Sequence, residues 1–278
     1  MRKRYTKAPL PFTGQKRNFL KLVEKALIEN IDNDGEGWTI IDVFGGSGLL
    51  ARNAKDICPK AQVIFNDYDN YAERLANIKQ TNQLRQQLAN CLIDVKPVAR
   101  LSNEKKKEII DIIRRFDGYK DIKALTSWLL FSGNDVKSLE ALFKKSLWNN
   151  LTKRDYPVAG DYLDGLDIVR MDFKDLINQH RHKEKVLFLL DPPYICTEQT
   201  AYKKETFFDL IDFLELMRLI RPPFIMFSSV RSEFNRYIDF LIRYKERNYQ
   251  HFVDAVEQKI NVTVNHNVNY QDNMVYKF

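Results

Sequence analysis

The chain has 278 residues, with 44 Lys and Arg against 37 Asp and Glu, a net charge of +7. Its 44% hydrophobic and 29% charged content suits a soluble globular protein of one large domain or a domain with an insertion, and excludes a disordered one. No apolar run approaches the ~18–20 residues that span a bilayer, the basic start lacks the apolar stretch of a secretory signal, and Cys58, Cys91 and Cys196 show no CxxC or disulfide spacing. Membrane, secreted and zinc-finger classes are therefore excluded, and a cytoplasmic protein is expected.

In chain order, residues 39–44 form an apolar run that stops at Gly45, Gly46 and Gly48, and residues 49–54 are compatible with a helix. Residues 62–65 are a second strand, ending at Asn66-Asp67-Tyr68-Asp69. Two strands about 20 residues apart around a helix make a βαβ unit. Strand signals return at 166–170 and at 186–190, a five-residue apolar run suited to a strand buried on both faces of a parallel sheet. Residues 224–227 repeat that pattern. At the C-terminus, 260–264 and 273–278 read as an antiparallel hairpin at the sheet edge, with the polar residues 265–272 as its turn.

Residues 80–165 differ. The spacing at 108–114 and 139–143 is helical, strand-like runs are scarce, and 15 basic residues against 11 acidic ones put about +4 of the net charge here. The segment is too long for a loop. We expect a helical insertion at 80–165 within a domain made of 1–79 and 166–278.

The first strand delivers Asp42 and Phe44 to a turn of Gly45, Gly46, Ser47 and Gly48 that opens a helix. Glycines there permit positive φ and close approach of a ligand, and the helix N-terminus offers free N–H groups. A tight turn without ligand uses the same residues. The loop matches neither the phosphate-binding loop nor the dinucleotide fingerprint. Asp67, at the end of the second strand, stands where an acid grips ribose hydroxyls in such folds; Asp69 is its rival, and turn capping is the alternative for both.

Asp191-Pro192-Pro193-Tyr194 is the most specific signal. At ~5% usage per residue type it arises by chance about twice in a thousand chains of this length. It follows a buried strand at its C-terminal end, where open α/β sheets bind ligands. Two prolines stiffen the loop and remove donors, leaving the Pro192 carbonyl and the Asp191 carboxylate as acceptors beside the flat face of Tyr194. Such a pocket suits a planar group bearing an NH₂. Drawing both N–H bonds into acceptors pulls the lone pair out of conjugation and makes the nitrogen nucleophilic.

These residues resemble the adenine-N6-specific DNA methyltransferases of the D12, or Dam-like, type. The likeness runs through Pro11-Phe12-Thr13-Gly14-Gln15-Lys16, Asp42 to Gly48, Asn66-Asp67, Met171-Asp172-Phe173 and Asp191 to Tyr194, in the alpha order of that family, and covers roughly two-thirds of the chain. It implies an α/β, Rossmann-like S-adenosylmethionine-dependent methyltransferase sheet with an inserted helical target-recognition subdomain. By resemblance, Asp42, Phe44, Gly45, Gly46, Ser47 and Gly48 cradle the methionine part of S-adenosylmethionine, Asp67 its ribose, and Asp172 and Phe173 its adenine. Phe12, Gly14 and Lys16 close over it. Asp191, Pro192 and Tyr194 hold a flipped adenine of double-stranded DNA, with Tyr202 in the following loop as a further contact. The FNxPxG-like stretch of enzymes that read GATC has no counterpart, so the likeness does not extend to that site.

Other basic and reactive residues are weighed against solvated surface. Lys153 and Arg154, with Arg114-Arg115 and Lys144-Lys145, are candidates for DNA backbone contact because they cluster in the insertion. Lys105-Lys106-Lys107 precedes the helix around Ile109 and reads as a solvated helix start rather than a phosphate clamp, and His180-Arg181-His182 as a polar linker rather than a metal site. Cys196 lacks a basic partner and reads as structural. Cytosine-N4 methylation uses the same NH₂ chemistry and is the alternative reaction. An inert DNA-binding protein of the same fold is the non-enzyme alternative.

Overall fold

The fold is seen in a computed structural model that describes residues 4–131, 134–194, 208–229, 233–265 and 268–278. The apolar runs form one sheet. Strands β1 (Thr39–Asp42), β2 (Gln62–Asn66), β3 (Asp167–Val169), β4 (Val186–Leu190) and β5 (Phe224–Ser229) are parallel, and the hairpin β6 (Val256–Asn265) and β7 (Val268–Lys277) adds antiparallel to β5. The order is β3-β2-β1-β4-β5-β7-β6. It reverses between β1 and β4, so their carboxyl ends open a crevice where such sheets take ligands. This is the expected α/β, Rossmann-like sheet.

Helices cover both faces because β4 is apolar at every position and β1 and β5 carry apolar residues on both faces. On one face lie α1 (Leu20–Asn30), which buries Leu20, Val23 and Leu27, and α2 (Leu49–Ile57); with Ile40, Val63, Phe65, Leu189 and Phe227 they form one core. After β2 come α3 (Tyr71–Ala76), α4 (Ile78–Cys91), α5 (Asn103–Arg115), α6 (Ile122–Leu129) and α7 (Leu139–Lys144). Leu84 and Leu88 of α4, Ile109 and Ile113 of α5, Trp128 of α6 and Leu142 of α7 enclose a separate core. The opposite sheet face is covered by α8 (Phe173–His180), α9 (Leu210–Leu219) and α10 (Glu233–Tyr244), around Ile41, Phe188 and Met226.

Three local expectations shift. Lys105, Lys106 and Lys107 lie inside the first turns of α5, not before it, because Ser102 accepts the Lys105 N–H at 3.2 Å and so caps the helix earlier. The polar stretch 265–272 is mostly strand: β6 and β7 stay paired from Val256↔Tyr276 to Asn265↔Val268. Alternation of Val268 and Tyr270 with Asn residues satisfies a strand that polarity alone hides. Ala159 and Tyr162 pack in the sheet core, although they fall within the numbers 80–165.

The N-terminal segment crosses the carboxyl edge of the sheet and is tied down by α3. Tyr71 Oη accepts the Leu10 N–H at 2.9 Å, and Arg74 Nη2 donates to the Pro11 carbonyl at 2.9 Å. Arg74 Nε also donates to Asp121 Oδ2 at 3.0 Å in a buried pair, while Asp121 Oδ1 caps α6 at Lys123 and Ala124. Removing one partner of a buried pair strands the other charge. Arg74→Met is therefore expected to destabilise the protein by about 3–5 kcal/mol, read as a lower urea midpoint at unchanged m-value.

Candidate active site

Side chains alternate between faces along a strand, so the residues at the carboxyl edge are sorted by parity. Ile40, Phe65, Leu189 and Phe227 share the face carrying α1 and α2. Two residues further on, the same parity places Asp42, Asp67, Asp191 and Ser229 on that side. From the antiparallel partner, Asp272 lies opposite Ser229 and shares parity with Met274 of the same core. Sheet geometry thus lines carboxylates along one edge of one face.

Lys16 answers them. It is 8% exposed, and its Nζ lies 2.8 Å from Asp191 Oδ1, 3.1 Å from the Gly14 carbonyl and 5.5 Å from the centre of the Tyr194 ring. The residues after it form a 3-10 turn, Arg17–Phe19, and Phe19 meets the ring of Phe227 on β5 at 5.2 Å. Burial pushes the Asp191 carboxyl up, and the Lys16 ammonium pulls it down. The sequence expectation put Lys16 over a cofactor; the structure puts its ammonium on the Asp191 carboxylate.

The glycine turn is shaped from below. Gly46 and Gly48 have φ of +52° and +69°, conformations that favour glycine. A Cβ on Gly45 would lie 2.4 Å from the Phe65 ring, and one on Gly46 2.8 Å from Phe12. Packing against Phe65 and Phe12 therefore already demands glycine at both positions. Asp42 Oδ2 accepts the Ala51 N–H of α2 at 3.1 Å, while its Oδ1 is buried with no hydrogen-bond partner among the described residues. That oxygen fits a donor, such as an ammonium group lying along the turn. Tyr162 Oη donates to the Ser47 carbonyl at 3.0 Å and closes the turn's far side.

Beside it, Asn66 fastens three strand ends together. Its Nδ2 donates to the Val43 and Met171 carbonyls at 2.9 and 3.0 Å, and its Oδ1 accepts the Met171 N–H at 2.9 Å. Asp67 accepts the Tyr71 and Ala72 N–H groups at 2.5 and 2.8 Å and so caps α3; each oxygen keeps a second lone pair. Asp172 caps α8 through the Lys174 N–H at 2.8 Å. Phe173 packs on Phe44 and Phe208 at 5.4 and 5.7 Å, and Phe44 stands edge-on to Phe208 at 5.8 Å. These rings offer an aromatic slot for a flat ring next to the turn.

The structure thus assembles Phe12, Lys16, Asp42 to Gly48, Asp67, Phe173 and Asp191 to Tyr194 along one edge. Gly14 is exposed, with φ of +86° and open space at its Cβ. Lys153 and Arg154 are exposed, far from this edge in sequence, and the neighbouring Asp155 is held by Arg85 at 2.7 Å. Arg114 lies over Phe143 at 5.3 Å, which brings the end of α5 beside Lys144 and Lys145. Tyr202 and Cys196 lie outside the described residues. Asp272 was missed in the sequence because it sat in a stretch read as a turn; its shared parity with Met274 and Tyr276 was the available signal.

Comparison with known proteins follows the same residues. The D12 class N6 adenine-specific DNA methyltransferase family matches residues 12–212. A protein of Haemophilus influenzae (strain ATCC 51907 / DSM 11121 / KW20 / Rd) named "Putative methyltransferase" is 52% identical over 278 residues, which is 100% of this chain and 94% of that protein.

Asp42 gives the site a pH signature. Burial pushes its carboxyl from 3.8 up to about 7, opposed by the Ala51 N–H and reinforced by Asp191. Between about pH 4 and 7 the folded protein keeps a proton that the unfolded chain has released, so this group's contribution to stability falls as pH rises through that window. Asp42→Asn stays neutral throughout. Its melting temperature relative to wild type is expected to shift in the variant's favour from pH 5 to pH 8, measured by calorimetry. A pH-independent difference would mean that Asp42 does not titrate there.

Proposed function

The chain belongs to the D12 class N6 adenine-specific DNA methyltransferase family, and on that footing we propose that it transfers a methyl group from S-adenosylmethionine to the N6 amine of an adenine flipped out of double-stranded DNA. The protein is an adenine-N6 DNA methyltransferase. Its target amine is hydrogen-bonded within the duplex, so extrusion of the base is the route to the pocket.

One observation carries the assignment of the base site: an N–H donor already occupies it. Lys16 Nζ sits against Asp191 Oδ1 with the Tyr194 ring 5.5 Å away. An adenine amine in that place donates one N–H to Asp191 and the other to the Pro192 carbonyl, while Tyr194 stacks on the purine. Those two bonds localise the lone pair on N6. The Asp191 carboxylate and water are the acceptors for the proton released after methylation.

The cofactor side fits as well. The unpartnered Asp42 Oδ1 suits the ammonium of the methionine part, Asp67 the ribose hydroxyls, and Phe44 and Phe173 the adenine face. Bound S-adenosylmethionine supplies an electrophilic methyl group on a sulfonium. Residues 80–165, with their own core and about +4 of charge, we assign to DNA recognition. Arg114, Lys144, Lys145, Lys153 and Arg154 all stand exposed there.

Two experiments test this. The protein is expressed in cells free of DNA methylation, and the DNA is digested for mass spectrometry and sequenced for modified bases. N6-methyladenine at a defined site is expected; N4-methylcytosine instead would overturn the substrate assignment. Asp191→Ala is expected to lower the transfer rate by at least ~100-fold, as for loss of a preorganised polar contact at a reacting group, while S-adenosylmethionine still binds. For the DNA surface, Lys153→Gln combined with Arg154→Gln should reduce the slope of log affinity against log salt by about 1–2.

A further inference from the structure

Asp272 has no role in the assignments above, yet it stands on the sheet face that carries Asp191. It is 8% exposed on β7, level with Ser229, on the face that carries Asp42, Asp191 and the Lys16 turn. Its Oδ1 is buried with no hydrogen-bond partner among the described residues. The neighbouring Asn273 points to the other face, where it donates to Glu257 at 2.7 Å and to Asn235 at 3.0 Å, which fixes β7 at this level. Asp272 is therefore held in place by its strand while one of its oxygens waits for a donor.

Lys16 bears on both carboxylates: its Nζ is 2.8 Å from Asp191 Oδ1, and its charge lowers the Asp272 carboxyl. Its turn is anchored over β5 by the Phe19–Phe227 contact, with β4 and Asp191 on one side and β7 and Asp272 on the other. Burial raises the Asp272 carboxyl, Lys16 lowers it and Asp191 raises it, so all three groups feel one another. If an adenine amine takes the Asp191 carboxylate, the Lys16 ammonium loses its partner. A buried ammonium left unpaired opposes binding of the base. The flexible four-carbon stem of lysine allows the head group to swing while its backbone stays fixed.

We propose that Asp272 is a positioning residue for methyl transfer, receiving the Lys16 ammonium when the target amine displaces it from Asp191. This rests on Asp191 as the adenine site. Charge is conserved through the exchange: one cation moves from one carboxylate to another, and a neutral amine takes its place.

The test is a double-mutant cycle on the full-length protein, using Asp272→Asn and Lys16→Met. Single-turnover transfer is measured with saturating S-adenosylmethionine and a duplex carrying a site found by sequencing. The same four proteins are read by fluorescence of 2-aminopurine placed beside the target adenine, which reports extrusion of that adenine and needs no turnover. Asp272→Asn is expected to lower the rate and the fluorescence gain at least tenfold alone, but less than twofold when Lys16 is already Met. Affinity for S-adenosylmethionine should stay within twofold. Equal losses in both backgrounds would make Asp272 merely structural, and no loss in the wild-type background would remove its role; either result overturns the proposal. Thermal midpoints are taken for every variant, and Asp272→Ser replaces the amide variant if that does not fold. Asp191→Ala is the separate control: if it methylates at the wild-type rate, the adenine site itself is misplaced and the Asp272 proposal falls with it.

Discussion

Strand parity sets the central problem of this molecule. An open parallel sheet brings the ends of β1 and β4 together, and alternation aims Asp42, Asp191 and, from the antiparallel edge, Asp272 to one side. Carboxylates crowded in a low-dielectric site repel one another and resist ionisation. Burial raises the carboxyls of Asp42, Asp191 and Asp272, and the charge of Asp191 adds to the rise at Asp42 and Asp272. A site built this way needs a cation, and it must come from outside the sheet because strand interiors are apolar.

That requirement explains the N-terminal segment. Lys16 reaches Asp191 because Leu10 and Pro11 are gripped by Tyr71 and Arg74, and because Phe19 is wedged on Phe227. Arg74 in turn is committed to Asp121 at the start of α6. A chain of buried polar contacts therefore runs from the helices between β2 and β3, through α3 and the N-terminal segment, to the Asp191 carboxylate. A disturbance among those helices has a direct mechanical path to Lys16. The fold spends its buried polar groups on holding one ammonium.

Much of the fold was legible because burial on both faces writes itself as uninterrupted apolar runs. Val186–Leu190 was read at its full length, and the order of βαβ unit, helical stretch and returning strands was correct. Strand ends were legible for the same reason: the run at 186–190 stops at Asp191 as β4 does, although the run at 39–44 outlasts β1, which ends at Asp42. Where a strand is polar, the signal fails. Residues 265–272 obey period two with Asn and Gln in the alternating positions, and composition concealed it, so Asp272 was lost with the strand that holds it. The glycines were legible as a turn but not in cause; only Phe65 and Phe12, distant in sequence, show why Gly45 and Gly46 admit no Cβ. Contacts set by tertiary packing, such as Lys16 on Asp191, leave no local pattern to read.

The opposing charges of site and surface reconcile once distance is considered. A protein that grips DNA gains from a basic exterior, whereas a pocket lined with carboxylates repels phosphate. Here the acids are buried at the sheet edge and share the ammonium of Lys16, so their field is short-ranged and partly cancelled. Arg114, Lys144, Lys145, Lys153 and Arg154 are exposed and act over a Debye length of about 8 Å at physiological salt. On the proposed function, the backbone of an approaching duplex would meet this positive exterior first and its phosphates would stay there, because a neutral base with its exocyclic amine is the part of a nucleotide that carries no charge into an acidic site. The charge of that site would then favour the base over the backbone before any shape is tested.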